Sequence, residues 1–266
     1  MSEGSEPRVL GRTALRVGRL GVGSSYGAPA RAYEQAFERG VRYFYFGSLR
    51  RGGFRDAVRA LAPRHRDELV VVVQSYARLG FHVKYSVHRA LRSLRVDHAD
   101  VLLLGMHRHV PAARILDAAQ ELQEAGEVRH LAVSSHHRSL LAQLVTDERF
   151  GILHVRYNAV HRRAEQEVFP ALADRDVAAR PGIVSFTATR WGALCDPRRT
   201  PPGERTPTAA DCYRFVLSHP APDVVLCGPA SAAQMTEAIS AFDQGPLDAE
   251  ELAWMRRVGD HIYGAR

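Results

Sequence analysis

Leu69-Val70-Val71-Val72-Val73 runs directly into the polar Gln74-Ser75-Tyr76. An apolar run with no alternation belongs to a strand covered on both faces, as parallel strands are when helices flank the sheet. Similar runs recur along the chain at 20–23, 43–46, 101–104, 130–133, 152–157, 182–186 and 224–227. Each is followed by an amphipathic pattern, at 31–39, 54–61, 82–94, 112–125, 139–145, 165–173, 209–217 and 232–242, with 82–94 following 69–73. Eight such units in series, with no GxGxxG turn after the first strand, predict a closed (β/α)8 barrel in preference to a dinucleotide-binding sheet. The 266 residues fit such a barrel, whose usual length is roughly 250. No Pro/Gly/Ser-rich linker interrupts the pattern, so 1–266 is expected to form a single domain. The segment 9–17, around Gly11-Arg12-Thr13, predicts a small hairpin, and 248–263 an extra helix after the barrel closes.

Composition narrows the function classes. Hydrophobic residues make up 45% of the chain and the formal charge is +7. The only lysine is Lys84, so a Schiff-base mechanism has a single candidate. The arginines are spread along the chain with no basic tail, which argues against nucleic acid as a partner. No apolar run approaches the ~18 residues of a membrane span. The start MSEGSEPRV lacks a secretory pattern, so a cytoplasmic location is expected. Cys195, Cys212 and Cys227 are far apart in sequence and suggest reduced thiols without a disulfide framework or a metal site.

Function in such barrels sits at the C-terminal ends of the strands. Those ends carry Ser24-Ser25-Tyr26, Gly47-Ser48 with Arg50-Arg51, Gln74-Ser75-Tyr76, Gly105-Met106-His107, Ser134-Ser135-His136, Asn158 with His161, Thr187-Ala188-Thr189-Arg190-Trp191, and Gly228-Pro229. Before Asp196 none of them carries Asp or Glu. A two-carboxylate glycosidase and a Mg2+ or Ca2+ site are therefore disfavoured. Arginine, tyrosine, serine and histidine at a rim suit a small anionic molecule, such as a phosphate or carboxylate. The expected anion clamp is Arg50 and Arg190, with Ser75 or Thr189 adding hydrogen bonds. The competing reading pairs these arginines with helix carboxylates. His107, His136 and His161 stand near different strand ends; hydrogen-bonded pocket histidines are favoured over zinc ligands, and no metal is expected. The proline-rich stretch 196–207 is the expected mobile lid.

Several segments resemble the aldo-keto reductase family. Leu10-Gly11-Arg12-Thr13 through Arg19-Leu20-Gly21-Val22-Gly23 resembles the opening "LGRTGLKVSRLGLG". Glu124-Ala125-Gly126-Glu127-Val128-Arg129-His130 through Ser134-Ser135 resembles "KGKVRHIGVSN". Tyr157-Asn158-Ala159-Val160-His161-Arg162 resembles "YNLLHR", and Pro246-Leu247-Asp248-Ala249-Glu250-Glu251 resembles "PLSAEE". The order and spacing agree over nearly the whole chain. The resemblance implies a (β/α)8 barrel, oxidoreductase chemistry and NADP(H) bound at the C-terminal face.

It also implies four catalytic positions: a tyrosine acid, a lysine lowering its pKa, an aspartate and a histidine. Aligned on the strand motifs, the aspartate falls on Tyr45, the tyrosine on Arg50, the lysine on Gln74 and the histidine on Gly105. Lys84 lies ten residues beyond Gln74, inside a helix pattern, and cannot substitute. For the cofactor, the resemblance puts Ser134 and Ser135 at the nicotinamide amide and Phe186 against its ring. Thr187-Ala188-Thr189 falls near the pyrophosphate. The 2′-phosphate arginine falls on Ala230 and the adenine-side asparagine on Ala238, leaving Arg190, Arg198 or Arg199 as other sources of charge. Ordinary NADPH carbonyl reduction is therefore not expected, and NADPH should bind at least ten-fold more weakly than is useful. A remade centre of Tyr45, Arg50, Gln74 and His107 is one expectation. A non-redox enzyme acting on an anionic metabolite and a catalytically silent binding or regulatory protein are the others. Tyr45 shares the parity of Tyr43 and should face the barrel axis, either filling the core or acting as a proton donor beside Arg50. Trp191 either walls the pocket or covers the core.

Overall fold

The first strand of the chain pairs with the second only across a tight 3-10 turn: β1 (Arg8–Val9) runs antiparallel to β2 (Arg16–Val17), with the turn at Gly11–Thr13. The computed structural model describes residues 7–47 and 52–264. Gly11 has φ +51°, and a Cβ there would come within 2.1 Å of the Gly182 nitrogen. The chain can press this close to the barrel floor only without a side chain. Leu10 and Val17, both buried, seal the lower end of the barrel.

Among the described residues, eight parallel strands close into a barrel: β3 (Leu20–Gly23), β4 (Tyr43–Phe46), β5 (Val70–Ser75), β6 (Ala99–Leu104), β7 (Val128–Ser135), β8 (Phe150–Arg156), β9 (Gly182–Phe186) and β10 (Val224–Cys227). β10 pairs with both β9 and β3, which completes the ring. The outer layer consists of α1 (Ala30–Glu38), α2 (Gly52–His65), α3 (Gly80–Leu94), α4 (Ala113–Glu124), α5 (Arg138–Leu144), α6 (Ala164–Glu167), α7 (Ala209–Ser218) and α8 (Ala232–Gln244). α9 (Ala249–Gly264) follows closure. The (β/α)8 fold, the N-terminal hairpin and the C-terminal helix match the sequence reading.

The helix expected over 165–173 is shorter. α6 gives way to a 3-10 turn at Phe169–Leu172 because Pro170 has no N–H to continue the α ladder. α7 opens on a capping box in which Thr208 and Asp211 satisfy each other's backbone N–H.

Strand parity determines what the barrel contains. Tyr43, Val72, Val101, Leu103, Ala132, Ile152, Val184 and Val224 form the interior cluster, with Tyr45 and Leu226 packed against it. Phe44 and Phe46 lie in the outer core and pack on Phe54, with ring centroids 5.7 and 5.8 Å apart. Two aromatic pairs from one four-residue strand thus serve two separate cores.

The stretch 196–207, expected as a mobile lid, is tied to the helical layer. Asp196 accepts from the Arg198 backbone, the Thr200 and Thr206 hydroxyls meet at 2.9 Å, and the Arg205 guanidinium lies 3.5 Å over the Trp254 ring. Arg205 also donates to Asp211 at 2.9 Å. These ties fasten the loop to α7 and α9, and none of its residues lines the cavity described next.

Candidate functional site

All eight barrel strands or their C-terminal extensions contribute to a cavity of about 570 Å³ at the barrel mouth. That volume falls within the roughly 300–1,000 Å³ of small-molecule sites.

Its floor is built by β4, β5 and β8. Tyr43, fully buried, shares a 2.8 Å hydrogen bond between its hydroxyl and His154 Nε2. Burial pushes His154 down to about 3, so it is neutral at ordinary pH. One layer higher, the Tyr45 hydroxyl donates to Gln74 Oε1. Burial, then the neighbouring Tyr76 and Tyr26 hydroxyls, holds the Tyr45 phenol far above its usual range.

The glycines explain why this centre fits. A Cβ at Gly105 would stand 2.6 Å from Gln74 Nε2 and 2.8 Å from the Tyr76 ring. Gln74 and Tyr76 thus fill the space that a side chain at position 105 would need. A Cβ at Gly47 would stand 2.8 Å from the Tyr45 ring. Tyr26 lies across Gly228 in the same way, 2.2 Å from where a Cβ would be.

The rim after β9 is shaped by unusual backbone. Thr187, Arg190 and Trp191 have φ of +59°, +51° and +54°, followed by Gly192 at +84°. Non-glycine residues in this region cost of order 1–3 kcal/mol each, so other bonds must hold the turn. Asn158, fully buried, supplies one through Nδ2 to the Thr187 carbonyl at 2.8 Å. The Arg190 N–H donates to that same carbonyl at 2.8 Å, and Leu194 N–H to Thr189 at 3.2 Å. The result presents Phe186, Thr187, Thr189 and Trp191 to the cavity. Trp191 is 68% exposed while lining it, so it walls the pocket and does not cover the core.

The structure brings Tyr45, Gln74, Ser134, Phe186, Thr187 and Thr189 together around one space. Ser134 accepts from the Met106 N–H at 2.9 Å, which leaves its own proton available. Ser135 is separated from them: it is buried and its hydroxyl donates to the His107 carbonyl at 2.6 Å. His107 is buried outside the cavity wall, beneath Arg78. Burial, then Arg78, lowers it to about 4. Ser75 is likewise buried, accepting from Ala77 N–H. Arg190 is half-buried and is not among the lining residues, and Arg50 lies outside the described residues. His136 stands behind Phe186, ring centroids 5.8 Å apart. Among the described residues no group of His, Cys, Asp and Glu is placed to hold a metal ion, and no helix is long and apolar enough to cross a membrane.

Several lining residues escaped the sequence reading, among them His154, Glu237, Cys195 and Cys227. His154 was visible in principle, since it shares the inward parity of Ile152. Glu237, on α8, adds a carboxylate that no strand end announced; its Oε1 accepts from the Ala209 N–H at 2.9 Å. Cys195 and Cys227 also line the cavity, and Cys195 Sγ lies 4.0 Å from Cys212 Sγ. Among the described residues, Glu237 is the one charged side chain on the cavity wall.

A parallel barrel with its polar groups gathered at the C-terminal mouth is a common enzyme scaffold, and the comparisons with known proteins narrow it. The Aldo/keto reductase family pattern matches residues 29–194, and the chain belongs to that family. Among solved structures, the aldo-keto reductase AKR11C1 from Bacillus halodurans in its holo form superposes with a TM-score of 0.78 at 21% identity, covering 95% of this chain and 96% of that one. An aldo/keto reductase from Klebsiella pneumoniae, in complex with NADP and acetate, gives 0.77 at 18% identity, covering 95% of both chains. At these identities the likeness speaks for the fold.

Proposed function

We propose that this chain is a ligand-binding member of the aldo-keto reductase family, whose barrel mouth takes a small, flat, uncharged organic molecule. Oxidoreductase chemistry is the family background, but carbonyl reduction by a tyrosine acid does not operate here. The observation that carries this reading is the state of Tyr45. A tyrosine that protonates a carbonyl needs its pKa lowered, and a cation beside it does that. Tyr45 is shifted the other way, its proton is engaged by Gln74, and no Lys or Arg stands on the described wall. Such a phenol is a hydrogen-bonding group. With Gln74 and Ser134 it offers directional contacts beside the faces of Tyr26, Tyr76, Phe186 and Trp191.

The fit to NADP(H) is divided. Ser134 and Phe186 suit a nicotinamide ring and its amide. The phosphate and adenine ends do not suit the rest: Ala230 offers no charge and its N–H already donates to Gln234 at 2.7 Å, Ala238 is buried in the core, and Glu237 repels an anion. Losing one charge-assisted phosphate contact costs about 1.5–3 kcal/mol, or ten-fold and more in affinity. The anion clamp expected from Arg50 and Arg190 receives no support from Arg190, which stays off the cavity wall.

Thermal shift of the whole protein with a panel tests this directly: NADPH, NADP, nicotinamide, a neutral naphthol, benzoate and inorganic phosphate. Stabilisation by a neutral ring compound is expected, approaching ~2.7 kcal/mol at a hundred-fold excess over Kd, and Tyr45→Phe should weaken it. Submicromolar NADPH binding in calorimetry would restore the reductase reading. Stabilisation by phosphate or benzoate alone, abolished by Arg50→Ala, would restore the anion site.

A further inference from the structure

We infer that Cys195 and Cys212 form an oxidisable dithiol, with Cys195 the thiol that meets a hydroperoxide through the cavity and Cys212 the thiol that resolves it to a disulfide. Three observations support the assignment. The two sulfurs already lie 4.0 Å apart, from residues 17 positions apart in the chain. Cys195 ends the short turn Ala193–Cys195, is half-buried and lines the cavity wall, so a small oxidant entering the mouth reaches it. Cys212, within α7, is buried, so its nearest reaction partner is the neighbouring sulfur and not a solute. The hydrogen bond between them holds the Cys195 thiol below its usual range and, with burial, pushes Cys212 well above. The thiolate is the nucleophile, which makes Cys195 the attacking partner. Cys227 is different. It also lines the cavity, but burial pushes it up to about 12, leaving it an inert thiol.

The chemistry balances with a hydroperoxide as oxidant. The Cys195 sulfur attacks the terminal peroxide oxygen, the O–O bond breaks, and the alcohol or water leaves with a proton. Cys195 is then a sulfenic acid. The Cys212 sulfur attacks the Cys195 sulfur, the S–O bond breaks, and the departing hydroxide takes the Cys212 proton as a second water. Two thiols lose two electrons, and the peroxide gains them. Closing the pair requires the sulfurs to approach to about 2.05 Å, a movement within reach of the Ala193–Cys195 turn. The product ties the rim turn that holds the left-handed residues Thr187, Arg190, Trp191 and Gly192 to α7, so oxidation fixes one wall of the cavity.

The test uses the full chain, reduced and then exposed to a small molar excess of hydrogen peroxide, with alkylation and peptide mapping at intervals. The expected result is loss of two of the three thiols in a monomer and a Cys195–Cys212 linked peptide, with Cys227 still alkylated. Cys212→Ser should stop at a Cys195 sulfenic acid captured by dimedone. Cys195→Ser should slow thiol loss about ten-fold or more, since the accessible nucleophile is gone. If a serine variant fails to fold, mapping of the unmodified chain still decides. Three thiols that survive peroxide, a link to Cys227, or a link between two copies of the chain would each overturn the assignment.

Discussion

The two ends of this barrel treat charge in opposite ways. At the N-terminal end, Asp100 is 2% exposed and accepts from Arg66 at 2.9 Å, Arg129 at 3.2 Å and the Val71 N–H at 2.8 Å. Nearby, Arg180 donates to both oxygens of Asp223 at 2.8 Å, and Asp223 also accepts from Ile183 N–H at 2.7 Å. Arg19 caps the carbonyls of Leu217 and Pro222, both at 2.9 Å. At the C-terminal mouth the described wall mixes aromatic and aliphatic side chains with uncharged tyrosine, serine, threonine and glutamine groups, and Glu237 is its single charge. The arginine content of the chain therefore reports on the scaffold more than on the ligand. A cation count says how many guanidinium groups must be satisfied, and the strand starts satisfy many of them.

Breaking the charged end should produce the largest effect. Asp223→Ala leaves Arg180, 7% exposed, without its carboxylate. A buried charge stripped of its partner costs about 3–5 kcal/mol, to be read as a lower urea midpoint. Glu237→Gln at the mouth should move the same midpoint by about 0.5 kcal/mol or less. Equal losses would dissolve the contrast between the ends.

A smaller effect probes the crowding at the mouth. Gly105→Ala should cost about 1–2 kcal/mol, because the new methyl meets Gln74 and Tyr76. In a Gln74→Ala background that cost should fall by half or more, a coupling that a double-mutant cycle in urea measures. Additive losses would mean that the two positions do not share space.

The most gradual effect is pH dependence. His107 and His154 have folded pKa values of about 4 and about 3, below the ordinary 6.5. Below 6.5 the unfolded chain binds protons that the folded chain refuses, so stability must fall with acid. The contribution is complete above pH 6.5 and is lost as pH falls towards 4 and then 3. Melting temperature followed from pH 7 to 4 should decline, and His107→Gln should flatten the decline near its upper end. A profile unchanged by that substitution would mean His107 is not held neutral.

The fold was readable because its signals are short-range and periodic. A period of two along 43–46 places Tyr43 and Tyr45 inward and the phenylalanines outward, and the family segments agreed in order. The site was half readable for the same reason. Tyr45, Gln74, Ser134 and Phe186 sit at strand ends, where inspection looks first. His107 and Ser135 also sit at strand ends, yet local hydrogen bonds turn them away, and no pattern in the sequence encodes that. Glu237 reaches the cavity from the second turn of α8. The Cys195–Cys212 approach depends on how a loop lies against a helix. Contacts of that kind arise from tertiary packing, and a reading by periodicity passes over them.

The interlock of Gly105, Gln74 and Tyr76 bears on engineering. Each of these residues fits because the others are present: the missing side chain at 105 admits the Gln74 amide, and the amide anchors the Tyr45 hydroxyl. A histidine introduced at position 105 alone would strike two side chains, and a lysine at position 74 alone would strip Tyr45 of its acceptor. Single changes in this cluster therefore run uphill, and it can be remade only by several changes made together. A designer who wishes to reshape this cluster should replace positions 45, 74, 76 and 105 as one block.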